Sequence, residues 1–254
     1  MNALLSVAAA LVAVVAAARS TWSPCGVSML ATVTPLAEHG RGHRYKTTAT
    51  WFVAGGLTGG ASLGLGMAAL ALGVRGAAPS AITVAVVAGV ASILAAASDA
   101  RLGGFHLPVH HRQVNERWLD QFRPWVYGAG FGWQVGTGLA TYIKTAALYL
   151  MVVLAALTAS PATALAIGAL FGVVRGLAVL LGRGITSAAT LAAFHRRFTE
   201  FGPVMLGIVV AIELASAVAF AAFVSPWAAL VLILLGAAAA TPRVRRRTPA
   251  VSRS

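Results

Sequence analysis

Charge is the scarcest ingredient of this sequence. Only 10% of its 254 residues are charged and only six are acidic, while 59% are apolar. Soluble domains are about a quarter charged, so an ordinary cytosolic enzyme is excluded. Cysteine is nearly absent too. The single Cys25 excludes an intramolecular disulfide and any cysteine-based zinc cage. Six acids leave few candidates for acid–base catalysis, and no phosphate-binding loop, Ser/His/Asp arrangement or carboxylate pair stands out. The sequence implies no cofactor. Lysine occurs only at 46 and 144 among 19 basic residues, an arginine bias that points to a high-GC genome and to no particular partner.

Long apolar runs are what the sequence has in quantity. Several exceed the ~18 residues that mark a transmembrane helix, and the mean hydropathy is +0.83. The expected fold is all-α, a polytopic membrane protein whose partner is the lipid bilayer. Apolar stretches predict helices at 3–37 (broken), 47–74, 80–98, 125–158 (broken), 162–182, 203–223 and 225–241. That gives one transmembrane domain over 1–241 and a basic tail over 242–254. Residues 1–18 resemble a signal peptide, but no Lys or Arg precedes the apolar stretch, so a retained first helix is expected.

The formal charge of +13 does not imply a nucleic-acid partner, because the basic residues fall between the apolar runs. With the N-terminus outside, one set of loops plus the tail carries fifteen of them, and the opposite loops carry only Arg75. The positive-inside rule then puts the C-terminus in the cytoplasm, in a bacterial plasma membrane. The tail arginines 243–247 act as a topogenic stop.

The first and fourth predicted helices are too long for simple spans, since 35 helical residues measure ~50 Å against a hydrocarbon core of ~30 Å. Each contains an interruption, Ser20-Thr21-Trp22-Ser23-Pro24 in one and Gly128-Ala129-Gly130-Phe131-Gly132 in the other. Broken helices in matching positions of two halves point to a midplane site. Weak internal similarity supports two halves: WSPCGVSMLAT at 22–32 against WQVGTGLAT at 133–141, and GGLTG at 55–59 against GALFG at 168–172. The expected architecture is a 3+3 inverted repeat, 3–98 and 125–223, with one extra helix at 225–241. Shared glycine spacing also serves close helix packing by itself.

At Ser23-Pro24-Cys25 the sequence resembles the transmembrane family of cytochrome c biogenesis and thiol–disulfide proteins (the CcdA/DsbD type, in a LysE-like superfamily). Pro35, the basic loop after it, the glycine-rich run 52–66 and Gly130-Phe131-Gly132-Trp133 extend the likeness over roughly 3–222. The resemblance implies passage of reducing equivalents or a small solute across the membrane through a midplane site near Cys25. The second Pro-Cys of that family falls on Val135-Gly136, however, and a dithiol needs two sulfurs. A redox role would therefore require a thiol-bearing partner protein. The rival expectation is a LysE-like transporter of a small anion, amino acid or metal ion without thiol chemistry; a non-transporting assembly factor is a third.

Cys25 is the tentative catalytic candidate, with Pro24 and Gly136 beside the expected breaks. Its bland alternative is a small buried hydrophobe. Four charges fall within or near predicted spans: Arg19, Lys144, Arg175 and Glu213. Each costs roughly 2.5–3.5 kcal/mol at a helix centre on insertion scales. Arg19 and Lys144 suggest an anionic-solute site near the breaks. Arg175 and Glu213 lie at similar depth and suggest an ion pair between the fifth and sixth helices. His39 and His43, then His106, His110 and His111, are weak metal candidates, since Gly40, Gly42 and Pro108 deny their spacing a regular helix; solvated loop histidines are the bland reading.

Overall fold

The computed structural model describes residues 1–108, 118–140 and 143–240. Among them every regular element is helical, and no strand occurs. Helix α1 is Asn2–Ser20, followed by the short α2 (Pro24–Thr32) and α3 (Pro35–Gly40). Then come α4 (Tyr45–Ala77), α5 (Ala81–Asp99), a four-residue α6 (Trp118–Gln121), α7 (Pro124–Thr137) and α8 (Ala147–Leu157). The chain closes with α9 (Pro161–Leu177), extended to Gly184 by a 3-10 segment, α10 (Ala188–Val224) and α11 (Pro226–Ala240). His110, His111, Gln113 to Arg117 and the basic tail 242–254 lie outside the described residues.

Five helices are long and apolar enough to cross a membrane: α1, α4, α5, α9 with its extension, and α10. Their packing is the reverse of a soluble protein's. In α5 the buried positions are Val84, Ala85, Ala88, Gly89, Ser92, Ala95 and Ala96, whereas Ile82, Val86, Val87, Val90, Ile93 and Leu94 point outward. Lipid tails are as apolar as leucine, so association gains nothing from hiding large side chains. It gains from small residues that let backbones approach.

α4 carries that logic furthest. One glycine stripe meets α7, where a Cβ on Gly55 would sit 2.8 Å from the Ala129 carbonyl carbon and one on Gly132 would sit 2.9 Å from Gly56 N. The other stripe meets α9, where a Cβ on Gly60 would lie 2.6 Å from Gly172 Cα and one on Gly168 would lie 2.5 Å from Gly64 Cα. No side chain fits between these backbones, so α4 is the central post on which α7 and α9 are mounted.

Two apolar clusters result. The larger joins α1, α8, the second half of α4, α5 and parts of α9 and α10; the smaller joins α2, α7, Leu119, Val179 and the first half of α4. The α1–α2 break, at Thr21–Ser23, lies between them. Ser23 accepts the Gly26 N–H at 3.2 Å and Pro24 opens α2, a preferred cap followed by a preferred first residue.

Several expectations need correction. The fourth helix is not interrupted at 128–132; α7 runs through that stretch, because Gly128 and Gly132 serve contact with α4 and Gly130 makes room for the Trp118 ring. The chain leaves helix at Gly138, whose φ of +66° suits a residue without Cβ, and re-enters at Ala147. Residues 188–202, expected as loop, are helical in α10, started by a reciprocal Ser187–Thr190 capping box that satisfies free N–H groups. Five spans stand on length and hydropathy; α7, α8 and α11 have 14, 11 and 15 described residues, each by itself short of the ~17 that a span requires.

Candidate functional site

The two helix breaks and the end of α5 enclose a polar cavity of about 310 Å³. Arg19 reaches it from the last turn of α1, Asp99 from the end of α5, and Lys144 from the non-helical segment before α8. Arg101, His106 and Tyr149 complete its polar wall. A second cavity of about 550 Å³ adjoins it through Arg19, Lys144 and Leu206, and is walled by Trp22, His195 and Thr199. Three cationic side chains thus face one carboxylate.

That carboxylate is already engaged. Asp99 Oδ1 accepts the Ala146 N–H at 2.7 Å, and Oδ2 accepts a short hydrogen bond from Thr145 Oγ1. An acid from α5 therefore caps the start of α8, where unsatisfied N–H groups and the helix dipole favour negative charge. Arg19 is not engaged in the same way: its Nε is buried and lacks a hydrogen-bond partner among the described residues, as does Nε2 of His195 in the adjoining cavity. Trp22 stacks on Phe198 with ring centroids 4.3 Å apart and donates its indole N–H to the Phe198 carbonyl at 2.6 Å, which clamps α10 beside the α1–α2 break. Pro203, inside α10 and on the second cavity's wall, has no N–H for the Thr199 carbonyl.

The sequence-predicted residues divide. Arg19 and Lys144 come together as expected, although Lys144 sits in the break and not in mid-helix. Arg175 and Glu213 do not pair. Arg175 points to the smaller cluster, where its Nε donates to the Val135 carbonyl at 3.2 Å, while both carboxylate oxygens of Glu213 lack hydrogen-bond partners among the described residues. The physical reason is that α9 and α10 each pack against α1 while Arg175 is turned to α7. Similar depth does not fix the direction in which a helix face points.

Cys25 is buried, 3% exposed, among Met29, Phe52, Val135 and Val179. Arg175 is its electrostatic neighbour, and it lines a cavity of about 20 Å³ with Thr21 and Gly26, room for a single water. Pro24 is the first residue of α2, and Gly136 is a packing residue whose Cβ would lie 2.9 Å from the Gly56 carbonyl carbon. Neither lines the polar cavity. His106 is exposed on the cavity wall, and no group of three metal-ligating side chains occurs among the described residues.

Sequence reasoning missed the buried Glu38. It receives Tyr127 Oη at 2.7 and 2.9 Å, Thr48 Oγ1 at 2.6 Å and Arg41 Nη1 at 3.0 Å. His43 Nδ1 lies 3.3 Å from Tyr127 Oη. This fully satisfied carboxylate ties α3, α4 and α7 together, so its role is structural. Its only sequence signal was an acid in a chain with six.

These features define an all-helical protein with membrane-compatible spans and a cationic cavity at its helix breaks. No family model and no solved structure matches the chain. Among curated proteins it is similar to the methylamine utilization protein MauF. The Paracoccus denitrificans protein is 32% identical over 168 residues, 63% of this chain and 58% of the relative. MauF of Methylorubrum extorquens is 29% identical over 209 residues, 80% and 72% of the two chains. That of Methylobacillus flagellatus is 30% identical over 192 residues, 71% and 66%. The matched region spans 58% of the Paracoccus denitrificans relative's length. These matches overturn the resemblance to the thiol–disulfide family, which rested on one tripeptide and lacked the second cysteine.

Proposed function

We propose that this chain is an integral membrane protein serving methylamine utilisation, and that its working site is a small-anion site formed by Arg19 and Lys144 at the two helix breaks. The process comes from the printed name of the relatives. The anion comes from the cavity, and one observation carries it: two cations from distant parts of the sequence line both cavities, and the one carboxylate among the described lining residues, Asp99, already caps α8. Arg19 has Asp99 as an electrostatic neighbour, yet its Nε has no hydrogen-bond partner among the described residues, and each of the two cations resists insertion.

The finer architecture belongs to the same reading. We take the N-terminus to be outside and the arginine-rich tail cytoplasmic, with two inverted halves. What supports inversion is that α1 and α8 share one apolar cluster while α2 and α7 share the other. The first half thus runs from the larger cluster to the smaller, and the second half runs back.

The test is isothermal titration of the detergent-purified protein with sodium sulfate, used as a probe anion. A charge-assisted contact is worth about 1.5–3 kcal/mol, so Lys144→Ala and Arg19→Ala should each weaken binding about 10- to 100-fold. Cys25→Ser should leave it unchanged. Equal binding in all four proteins, or none in the wild type, would end the anion reading.

A further inference from the structure

We infer that Glu213 is a proton-carrying side chain within the helical bundle, and that it exchanges its proton with the polar cavity past Asp99. Glu213 is 0% exposed, and neither carboxylate oxygen has a hydrogen-bond partner among the described residues. An ionised carboxylate in that situation faces a desolvation cost of many kcal/mol, and such a group neutralises instead. The elements packed on α10 are α5, α1 and α11. α5 presents Asp99 to Glu213, α1 brings Arg19 only to the cavity level, and α11 has no charged residue.

Asp99 and Glu213 therefore form a pair with divided roles. Asp99 accepts two hydrogen bonds at the start of α8. Glu213 has no hydrogen-bond donor among the described residues to stabilise an anion, and Asp99 lies within electrostatic range of it. The route to water is short. Leu206, on the cavity wall, lies seven residues before Glu213, two turns or about 10 Å along the same face of α10. Asp99 occupies the intervening level, because Gly89 of α5 touches Phe220 and the two helices run antiparallel. A proton leaving Glu213 passes to Asp99 and then to the cavity, and the return path is the same; no other reactant is needed.

One consequence rests on the anion reading. A bound anion would raise the proton affinity of both carboxylates, so anion and proton would bind cooperatively, and the coupling is reciprocal. His106 and His195 also line the cavities. The readout must therefore report carboxylic acid itself, and infrared spectroscopy of the full chain in an ester-free maltoside detergent does so.

At neutral pH the wild type should show a protonated-carboxyl C=O band that shifts to lower frequency in D2O. Glu213→Gln should abolish the band completely, and Glu200→Gln should retain it. Absence of the band, or its survival in Glu213→Gln, would overturn the proton site. Because Glu213 makes no hydrogen bond, its glutamine variant should stay folded, and an unchanged elution profile verifies this. Sodium sulfate should perturb the band in the wild type but not in Lys144→Ala. Sulfate that binds without perturbing the band would overturn the coupling. A band present in protein that binds no sulfate would uphold Glu213 and refute only the anion site.

Discussion

Replacing Gly168 with alanine tests the α4–α9 seam with a single methyl group. The new Cβ would lie 2.5 Å from Gly64 Cα and 2.6 Å from both the Gly60 carbonyl oxygen and Gly64 N. Carbon contacts settle near 3.5–4.0 Å, so the helices must separate by roughly 1 Å, and a gap of that size forfeits a quarter to a half of each contact's attraction. The atoms in the way are backbone and have no rotamer with which to yield. Overpacking costs typically about 1–3 kcal/mol, against a helix-propensity gain of up to ~1 kcal/mol. The net loss is roughly 1–2 kcal/mol, which lowers the melting temperature by about 2–4 °C per kcal/mol. Intrinsic tryptophan fluorescence on heating in detergent reads this out. Gly172→Ala belongs to the same seam, where a Cβ would meet Gly60 Cα at 2.6 Å. The double variant should therefore lose less than the sum, because the first methyl has already parted the helices. Gly66 and Gly73, on the same α4, have nothing within 4 Å of an added Cβ, and alanine there should be neutral or slightly stabilising. A Gly168→Ala protein that melts at or above the wild type, or a Gly66→Ala protein that falls equally far, would refute the seam.

Tyr127→Phe removes the donor that reaches both Glu38 oxygens and should cost about 1–3 kcal/mol, seen as a lower melting temperature; an unchanged value would show that the cluster is dispensable. Thr145→Val takes one of two hydrogen bonds from Asp99 and should loosen the start of α8, visible as faster amide exchange at 146–149 and not in α4. Glu213→Gln should leave stability unchanged or raised. Had Glu213 been half of a buried ion pair, its loss would cost about 3–5 kcal/mol, so a fall of that size would reinstate a partner for it.

The limits of the five long helices were legible to within a few residues, apart from the start of α10, because hydropathy needs only composition along the chain. The α1–α2 break was legible as well, since Ser23-Pro24 is a cap and a helix start in adjacent positions. The fourth helix was misread because glycines such as 128 and 132 have two uses. They release the backbone when alone and admit a neighbouring backbone when one is present, and only the position of α4 decides which. The first turns of α10 looked like loop because Arg196 and Arg197 lower the hydropathy there, although the cap and the Trp22–Phe198 stack keep the segment helical. Arg19 and Lys144 were found because a charge in an apolar run is conspicuous. Asp99 was overlooked at the end of its run, and its role as a cap for α8 depends on residues 46 and 47 positions away.

The central claim is that the cations at the helix breaks do the protein's work in methylamine utilisation. Growth on methylamine of a Paracoccus denitrificans strain lacking MauF, carrying this chain or its variants at equal membrane abundance, tests it most directly. The account predicts growth with the wild type and with Cys25→Ser, and loss of growth with Lys144→Ala and with Arg19→Ala. Growth undiminished by removal of both cations, with Cys25→Ser inactive, would contradict it.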